Sequence, residues 1–187
     1  MPKKGRKRSP QTLSEADRRL VAAWAADCAE RVLGLFEAEA PGDDRPRSLV
    51  VRARAFALGE LNTSQGISSR FEGGIGPGDA KSPAAAAAAR ASGQAAAVCH
   101  MGAHALGAAA YAVAAVGLAS PDRPEAVPDE IRWQLDHMSP EVRAALGALP
   151  PVGESKAGPL GPGRLASGQL GTIIRLLQAD LSVTRSG

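Results

Sequence analysis

The chain has 187 residues, of which 44% are hydrophobic and only 3% are aromatic. This length fits one folded domain with tails and is too short for two independent cores. A core with so few aromatic residues must be built largely from Ala, Val and Leu, which suits closely packed helices better than a sheet sandwich. The composition therefore favours an all-α protein.

The positive charge is concentrated at the N-terminus. The net charge is +3, and residues 1–11 contribute five Lys and Arg side chains. Without these five, the 22 basic residues fall to 17 against 19 acidic residues, so a basic surface over the whole fold is not indicated. We interpret residues 1–11 as a disordered basic tail. Nucleic-acid association through this tail is an alternative function, but the tail lacks interleaved aromatic residues, so nucleic acid is a less favoured partner.

Cysteine usage and hydropathy indicate a cytoplasmic protein without a membrane segment. Cys28 and Cys99 form no disulfide or zinc pattern, and no apolar leader follows the basic start. Residues 91–120 contain no charged side chain and are long enough to span a bilayer. Ala contributes little apolar area, however, and the stretch also holds polar residues and glycines. We therefore predict no membrane span.

Apolar periodicity predicts two helices in the first third of the chain. The sequence TLSE at 12–15 fits a capping box at Thr12, which predicts a helix from this point to Pro41. Asp44 then provides an N-cap, with Pro46 in the first turn of a second helix that continues to Leu61. The short linker makes the two helices antiparallel neighbours. Residues 62–82 contain five glycines and are predicted to form a Gly/Ser-rich loop.

An alanine-rich segment forms the predicted centre of the protein. Ser82 and Pro83 are typical of a helix start, and 19 of the 36 residues at 84–119 are Ala. One unbroken helix of this length would extend about 54 Å, longer than a domain of this size is wide. We therefore predict a central helix or a helix pair with a break near Gly93 or Gly102.

The last third of the chain is predicted to contain two short helices and a separate C-terminal helix. Residues 128–138 and 140–149 are helical in pattern, the second capped by Ser139. Residues 150–164 form a Pro/Gly-rich linker, and residues 165–187 a C-terminal helix and tail. Residues 12–149 thus form the predicted helical domain, a compact bundle of about five to seven helices.

His100 and His104 are four residues apart, a spacing at which two helical side chains can bind one metal ion. A metal site needs a third ligand, and Asp27, Cys28 or His137 could supply it from another helix. A metal-dependent enzyme or metal-binding protein is therefore the first alternative function. The favoured interpretation is that both histidines are neutral and hydrogen-bonded in an alanine-rich interior.

Charged residues on the first two helices form a second candidate cluster. Trp24, Asp27 and Arg31 share a helix face, and Arg45 and Arg47 lie near the start of the next helix. We favour a helix cap and ion pairs between the two helices over a pocket for an acidic ligand. No nucleotide-binding glycine motif, hydrolase elbow or nucleophile with a base beside it is present, so the sequence predicts no catalytic residue and no cofactor.

Four segments of the chain resemble a bacterial family of immunity proteins that is associated with polymorphic toxin systems. They are LVAAWAADCAERVLGLFE (20–37), DDRPRSLVVRARAFALGEL (43–61), AAAARASGQAAAVCHMGAHALGAAAYAVAAV (86–116) and IRWQLDHMSPEVR (131–143). The resemblance implies an all-α protein that neutralises a toxin by binding it, without catalysis of its own. Its partner would be that protein toxin, and self-association stays open.

The positions that match characteristic residues of this family imply a binding site. They are Trp24, Asp27, Arg31, Asp44, Arg45, Pro46, Arg90, His100, His104, Tyr111, Trp133 and Gln134. Two regions depart from the family pattern. The Gly/Ser-rich residues 62–82 stand where an alanine-rich helix is expected, and the residues from 150 onward have no counterpart.

Overall fold

A computed structural model of the protein describes residues 9–65 and 80–183. Within these ranges it contains seven α-helices, two single-turn 3-10 helices and no β-strand, and residues 63–65 are also helical. The α-helices are α1 (Glu15–Glu37), α2 (Arg45–Leu58), α3 (Pro83–Ala97), α4 (His104–Ala119), α5 (Ala126–Asp136), α6 (Pro140–Gly147) and α7 (Gly168–Val183). The predicted all-α bundle is confirmed. Most of the predicted tail and most of the predicted 62–82 loop lie outside the described residues.

Helix α1 is capped by Ser14, so the capping box predicted at Thr12 is wrong. The Ser14 hydroxyl accepts a hydrogen bond from the Asp17 amide at 3.0 Å and donates to the Asp17 carboxylate at 2.7 Å. Thr12 instead ends a 3-10 turn over Pro10–Thr12. The helix ends at Glu37, four residues before Pro41. Thr12 and Ser14 each have an acidic residue three positions later, Glu15 and Asp17. Thr12 is held in the 3-10 turn, where its backbone carbonyl accepts from the Gly102 amide at 3.1 Å, and Ser14 is therefore the cap.

Helices α1 and α2 are antiparallel neighbours, as predicted. Arg47 at the start of α2 pairs with Glu37 at the end of α1, with 2.6 Å between Nε and Oε1. At the other end, Arg19 of α1 donates to the backbone carbonyl of Phe56 in α2. Asp44 occupies the N-cap position of α2, but its side chain makes no capping hydrogen bond.

The alanine-rich segment forms a helix pair at the centre of the bundle. The side chain of Ser82 caps α3, and the chain breaks between α3 and α4 around Gly102, whereas Gly93 lies inside α3. A Cβ atom at Gly107 would lie 2.3 Å from Oε1 of Gln94, so the absent side chain lets the two helices approach closely. Residues 105–115 of α4 are all buried. No helix in the described ranges is both long enough and apolar enough to cross a membrane.

The C-terminal part of the chain packs on this centre. Ser139 caps α6 as predicted, its hydroxyl accepting from the Val142 amide at 3.2 Å. Residues 150–164 form turns without an α-helix, yet Leu160 is fully buried. Helix α7 contacts α4 and α6 through its buried apolar residues, which are Ile173, Ile174, Leu177 and Leu181.

Gln11 ties the N-terminal segment to the C-terminal segment. It falls within the predicted tail, yet it is only 2% exposed. Its Nε2 donates to the carbonyl of Ala157 at 2.7 Å, and its Oε1 accepts from the amide of Leu160 at 2.9 Å. Its backbone carbonyl accepts from the Ala103 amide at 3.0 Å. One buried amide side chain thus joins the first turn of the fold to the residues that precede α7.

We predict that Gln11→Leu lowers the free energy of unfolding by about 1–3 kcal/mol, because it leaves the buried amide of Leu160 without its acceptor and removes the hydrogen bond to the more exposed carbonyl of Ala157. Urea denaturation followed by circular dichroism measures this change. The matched control is Gln169→Leu on the exposed side of α7, for which we expect a change within about 0.5 kcal/mol. Equal stability of the two variants would contradict the tethering role of Gln11.

Candidate functional site

A buried hydrogen-bond network joins α1, α4 and α5. Trp24 on the inner face of α1 is 2% exposed, and its indole Nε1 donates to the backbone carbonyl of Gln134 at 2.9 Å. The side chain of Gln134 is fully buried and donates from Nε2 to the carbonyl of Ala109 in α4 and to Oε1 of Glu130, both at 3.2 Å. These contacts hold α5 at a fixed distance from α1.

Arg31 and Glu130 form an ion pair beside this network. The Arg31 Nε and Nη2 atoms donate to Oε2 of Glu130 at 3.0 and 2.9 Å. The carboxylate is almost fully buried, with 3% of its side chain exposed, whereas 39% of the Arg31 side chain is exposed. A buried carboxylate is stable only when it is paired and hydrogen-bonded, and Arg31 together with Gln134 meets this need.

Trp133 is fixed by stacking contacts at the surface of α5. The guanidinium carbon of Arg31 lies 3.8 Å from the centre of the indole ring. The His137 ring stacks on the same indole with 3.9 Å between centroids and 24° between planes. Nδ1 of His137 lies 2.7 Å from the backbone carbonyl oxygen of Trp133. Because a carbonyl oxygen can only accept, Nδ1 carries the proton and donates this hydrogen bond. The half-buried indole is therefore held in one orientation.

These side chains line a surface cleft of about 250 Å³ between α1 and α5, which we call the α1/α5 cleft. Its lining residues are Asp27, Glu30, Arg31, Trp133 and His137. The side chains of Asp27 and Glu30 are 44% and 46% exposed. Both carboxylates pair with Arg54 of α2, which lies 2.8 Å from Oδ1 of Asp27. The structure thus brings Trp24, Asp27, Arg31, Trp133 and Gln134 of the predicted site together, with the first and last of them buried beneath the cleft.

Asp44 and Arg45 lie elsewhere, at the N-cap and the first residue of α2. Arg45 makes a two-pronged contact with Asp43, at 2.8 Å from Nε and 2.5 Å from Nη2. Hydrogen bonds from the Arg45 side chain lower the pKa of the Asp43 carboxyl below its ordinary value. This contact of Arg45 is with a neighbour in sequence. The ion pairs between α1 and α2 are made instead by Arg47 and Arg54.

His100 and His104 lie at the break between α3 and α4 and at the start of α4. His100 is in the turn and His104 is the first residue of α4, with 5.0 Å between the two ring centroids and 52° between their planes. Nδ1 of His104 lies 2.9 Å from Oε1 of Gln94 on α3, so in this amide orientation the imidazole nitrogen is the donor. Both side chains are partly buried. The two histidines thus do not share one unbroken helix, although their rings lie side by side.

In the described part of the chain, His100 and His104 have no third side chain placed to bind a metal ion with them. No group of three or more His, Cys, Asp or Glu residues there is placed to hold a metal ion.

Two other predicted positions lie on the central helix pair. Arg90 is exposed on α3, and Tyr111 is buried on α4.

Cys28 lies on the buried face of α1 and is fully inaccessible. Burial, reinforced by the charge of Glu130, raises the pKa of its thiol well above the ordinary value. Because the thiolate is the reactive species, we predict that native protein releases almost no thionitrobenzoate from Ellman's reagent. Cys99 is also buried, so it should be equally unreactive in the native protein. In guanidinium chloride the chain unfolds, both thiols become exposed, and both should react. Rapid labelling of the native protein would contradict this prediction.

Glu130, Glu30 and Arg54 belong to the site but were not predicted from the sequence. A signal for Glu130 exists, because it lies four residues before Gln134 and therefore on the same helix face. An acidic residue on a half-apolar helix is more often solvated, so the spacing alone does not indicate a buried ion pair.

A second groove of about 240 Å³ lies between the end of α6, the residues that follow it, and α7. It is mainly apolar and is lined by Leu146, Gly147, Leu149, Pro151, Gln178, Leu181 and Ser182.

The fold and the cleft together define an all-α protein with a charged, aromatic-walled recess between two helices. The chain belongs to the Imm-5 like putative immunity protein family, whose model matches residues 11–141. None of the curated proteins and none of the solved structures compared with the chain is significantly similar to it.

Proposed function

We propose that the protein neutralises a toxin by binding it directly, and that the α1/α5 cleft is part of the contact surface. The observation that carries the proposal is the position of the cleft relative to the family match. Every residue lining the cleft falls within residues 11–141, whereas every residue lining the second groove falls outside them. A surface used for the function of the family should lie in the part of the chain that defines it.

Helices α1 and α2 also carry exposed apolar side chains that a protein partner can cover. The exposed side of α2 carries Val51 and Leu58, which are 58% and 74% exposed, and α1 adds Leu20 at 39%. Exposed apolar side chains on the same helices as the cleft suit a protein contact surface, where aromatic residues and Arg contribute most of the binding energy. Stacking and the Trp24 network hold Trp133 in place, which reduces the entropy that binding must overcome.

The experiment begins with purification of the tagged full-length chain from the cells that naturally produce it, followed by mass spectrometry of any stoichiometric partner. The partner is then expressed in a test strain with and without this chain. We expect growth arrest by the partner alone and recovery on co-expression. A purified chain without a partner, or a partner whose toxicity is unchanged by co-expression, would contradict the proposal.

Variants of the chain locate the contact surface. Trp133→Ala should weaken binding of the partner by about tenfold or more, as expected for a central aromatic residue. Leu176→Ala on α7 is the control, because Leu176 is 52% exposed and lies outside the family match. Circular dichroism verifies that both variants are folded. Equal binding by the two variants would place the contact surface away from the cleft.

A further inference from the structure

The α1/α5 cleft has an excess of negative charge. Its lining includes the carboxylates of Asp27 and Glu30, each nearly half exposed, and one cation, Arg31. The charge of Arg31 is already compensated by the buried carboxylate of Glu130, to which two of its nitrogens donate. Arg54 pairs with both exposed carboxylates, and its single positive charge neutralises only one of their two negative charges. The cleft is therefore complementary to a cation.

The size and the walls of the cleft restrict which cation fits. Its volume of about 250 Å³ is below the range of about 300–1,000 Å³ that is usual for small-molecule sites. The lining combines the stacked rings of Trp133 and His137 with the two exposed carboxylates of α1. A long aliphatic stem can pack along the rings while its charged head reaches the carboxylates. Arginine suits such a site better than lysine, because its planar head binds carboxylates with two donors and stacks on aromatic rings.

We propose that the cleft receives an arginine side chain of the protein partner. This proposal rests on the proposed toxin-binding function, and it specifies which side chain of the toxin binds in the α1/α5 cleft. In the complex, the guanidinium group bonds to Asp27 and Glu30, and its stem packs against Trp133 and His137. Arg54 remains as a fixed cation at the edge of the cleft and excludes a second positive group.

The test uses the full-length protein and a small probe, N-acetyl-arginine methylamide. Its neutral isostere, N-acetyl-citrulline methylamide, is the matched ligand control at equal ionic strength. The two tryptophans give two indole N–H signals in the NMR spectrum, which Trp133→Phe assigns. We expect the arginine probe to shift the Trp133 signal in a saturable manner, with a much smaller shift at buried Trp24. Citrulline should shift neither signal, and added salt should weaken the arginine response.

The double variant Asp27→Asn/Glu30→Gln should reduce the affinity for the arginine probe about fivefold or more. Glu37→Gln is the control variant, because Glu37 is another carboxylate on α1 but pairs with Arg47 away from the cleft. An equal response to citrulline, an unchanged response in the double variant, or no shift with arginine would each overturn the proposal. A stronger response to N-acetyl-lysine methylamide would contradict the choice of arginine.

These outcomes are distinguishable from failure of the proposed function. If the chain protects cells from the toxin but the arginine probe does not bind, the toxin-binding function stands and the arginine contact is wrong. If the probe binds but no toxin is neutralised, the cleft recognises arginine in a different kind of partner.

Discussion

Trp24→Ala should lower the free energy of unfolding by about 3–5 kcal/mol, the range for removing a large aromatic side chain from a core. Trp24 is 2% exposed and is among the largest fully buried side chains. The substitution also removes the donor for the backbone carbonyl of Gln134, which lies within the buried network. Because domains of this kind are stable by only about 5–15 kcal/mol, the loss removes a large fraction of the total.

Chemical denaturation followed by circular dichroism measures this loss, and Leu20→Ala provides the control on the same helix. Leu20 is 39% exposed, so its truncation should cost about 1 kcal/mol or less. Trp24→Phe separates the two contributions, because it keeps much of the apolar volume but removes the indole donor. A Trp24→Ala variant within about 1 kcal/mol of the original chain would show that the network does not support the fold.

The fold class was predictable because local signals agree with one another along most of the chain. Ser82 and Ser139 each precede a proline, and both cap a helix in the structure. Gly102 lies at the break in the alanine-rich segment, where a Cβ atom would lie 2.5 Å from the side chain of Leu13. At the start of α1 the local signal is ambiguous, since Thr12 and Ser14 can both serve as caps. The structure, through contacts of the 3-10 turn with Gly102, resolves it in favour of Ser14.

The candidate site was only partly predictable, because its decisive contacts join distant parts of the chain. Glu130 and Arg31 are 99 positions apart, and Gln11 and Leu160 are 149 apart. A local pattern shows that a residue is polar, but it cannot show that a polar residue is buried against a partner so far away. The resemblance placed Trp24, Arg31 and Trp133 among the candidates without indicating that Trp24 is interior. The structure shows that Trp24 and Gln134 are buried, whereas Arg31 and Trp133 are partly exposed and can contact a partner.

Arg31→Met should lower the free energy of unfolding by about 3 kcal/mol, since it leaves the Glu130 carboxylate buried without its cation. The value lies at the lower end of the usual range because Gln134 still donates to this carboxylate at 3.2 Å. Glu130→Met should cost less, because the released guanidinium group is 39% exposed and can be hydrated.

The double variant Arg31→Met/Glu130→Met decides whether the pair itself stabilises the fold. Replacing a buried ion pair by apolar residues is often neutral, so we expect the double variant to be at least about 1 kcal/mol more stable than Arg31→Met alone. Urea denaturation of the four proteins gives the coupling energy between the two positions. Additive effects would show that Glu130 does not depend on Arg31. With strong coupling and a stable double variant, the ion pair contributes little net stability. Its contribution is then to hold Arg31 against Trp133 and so to shape the cleft.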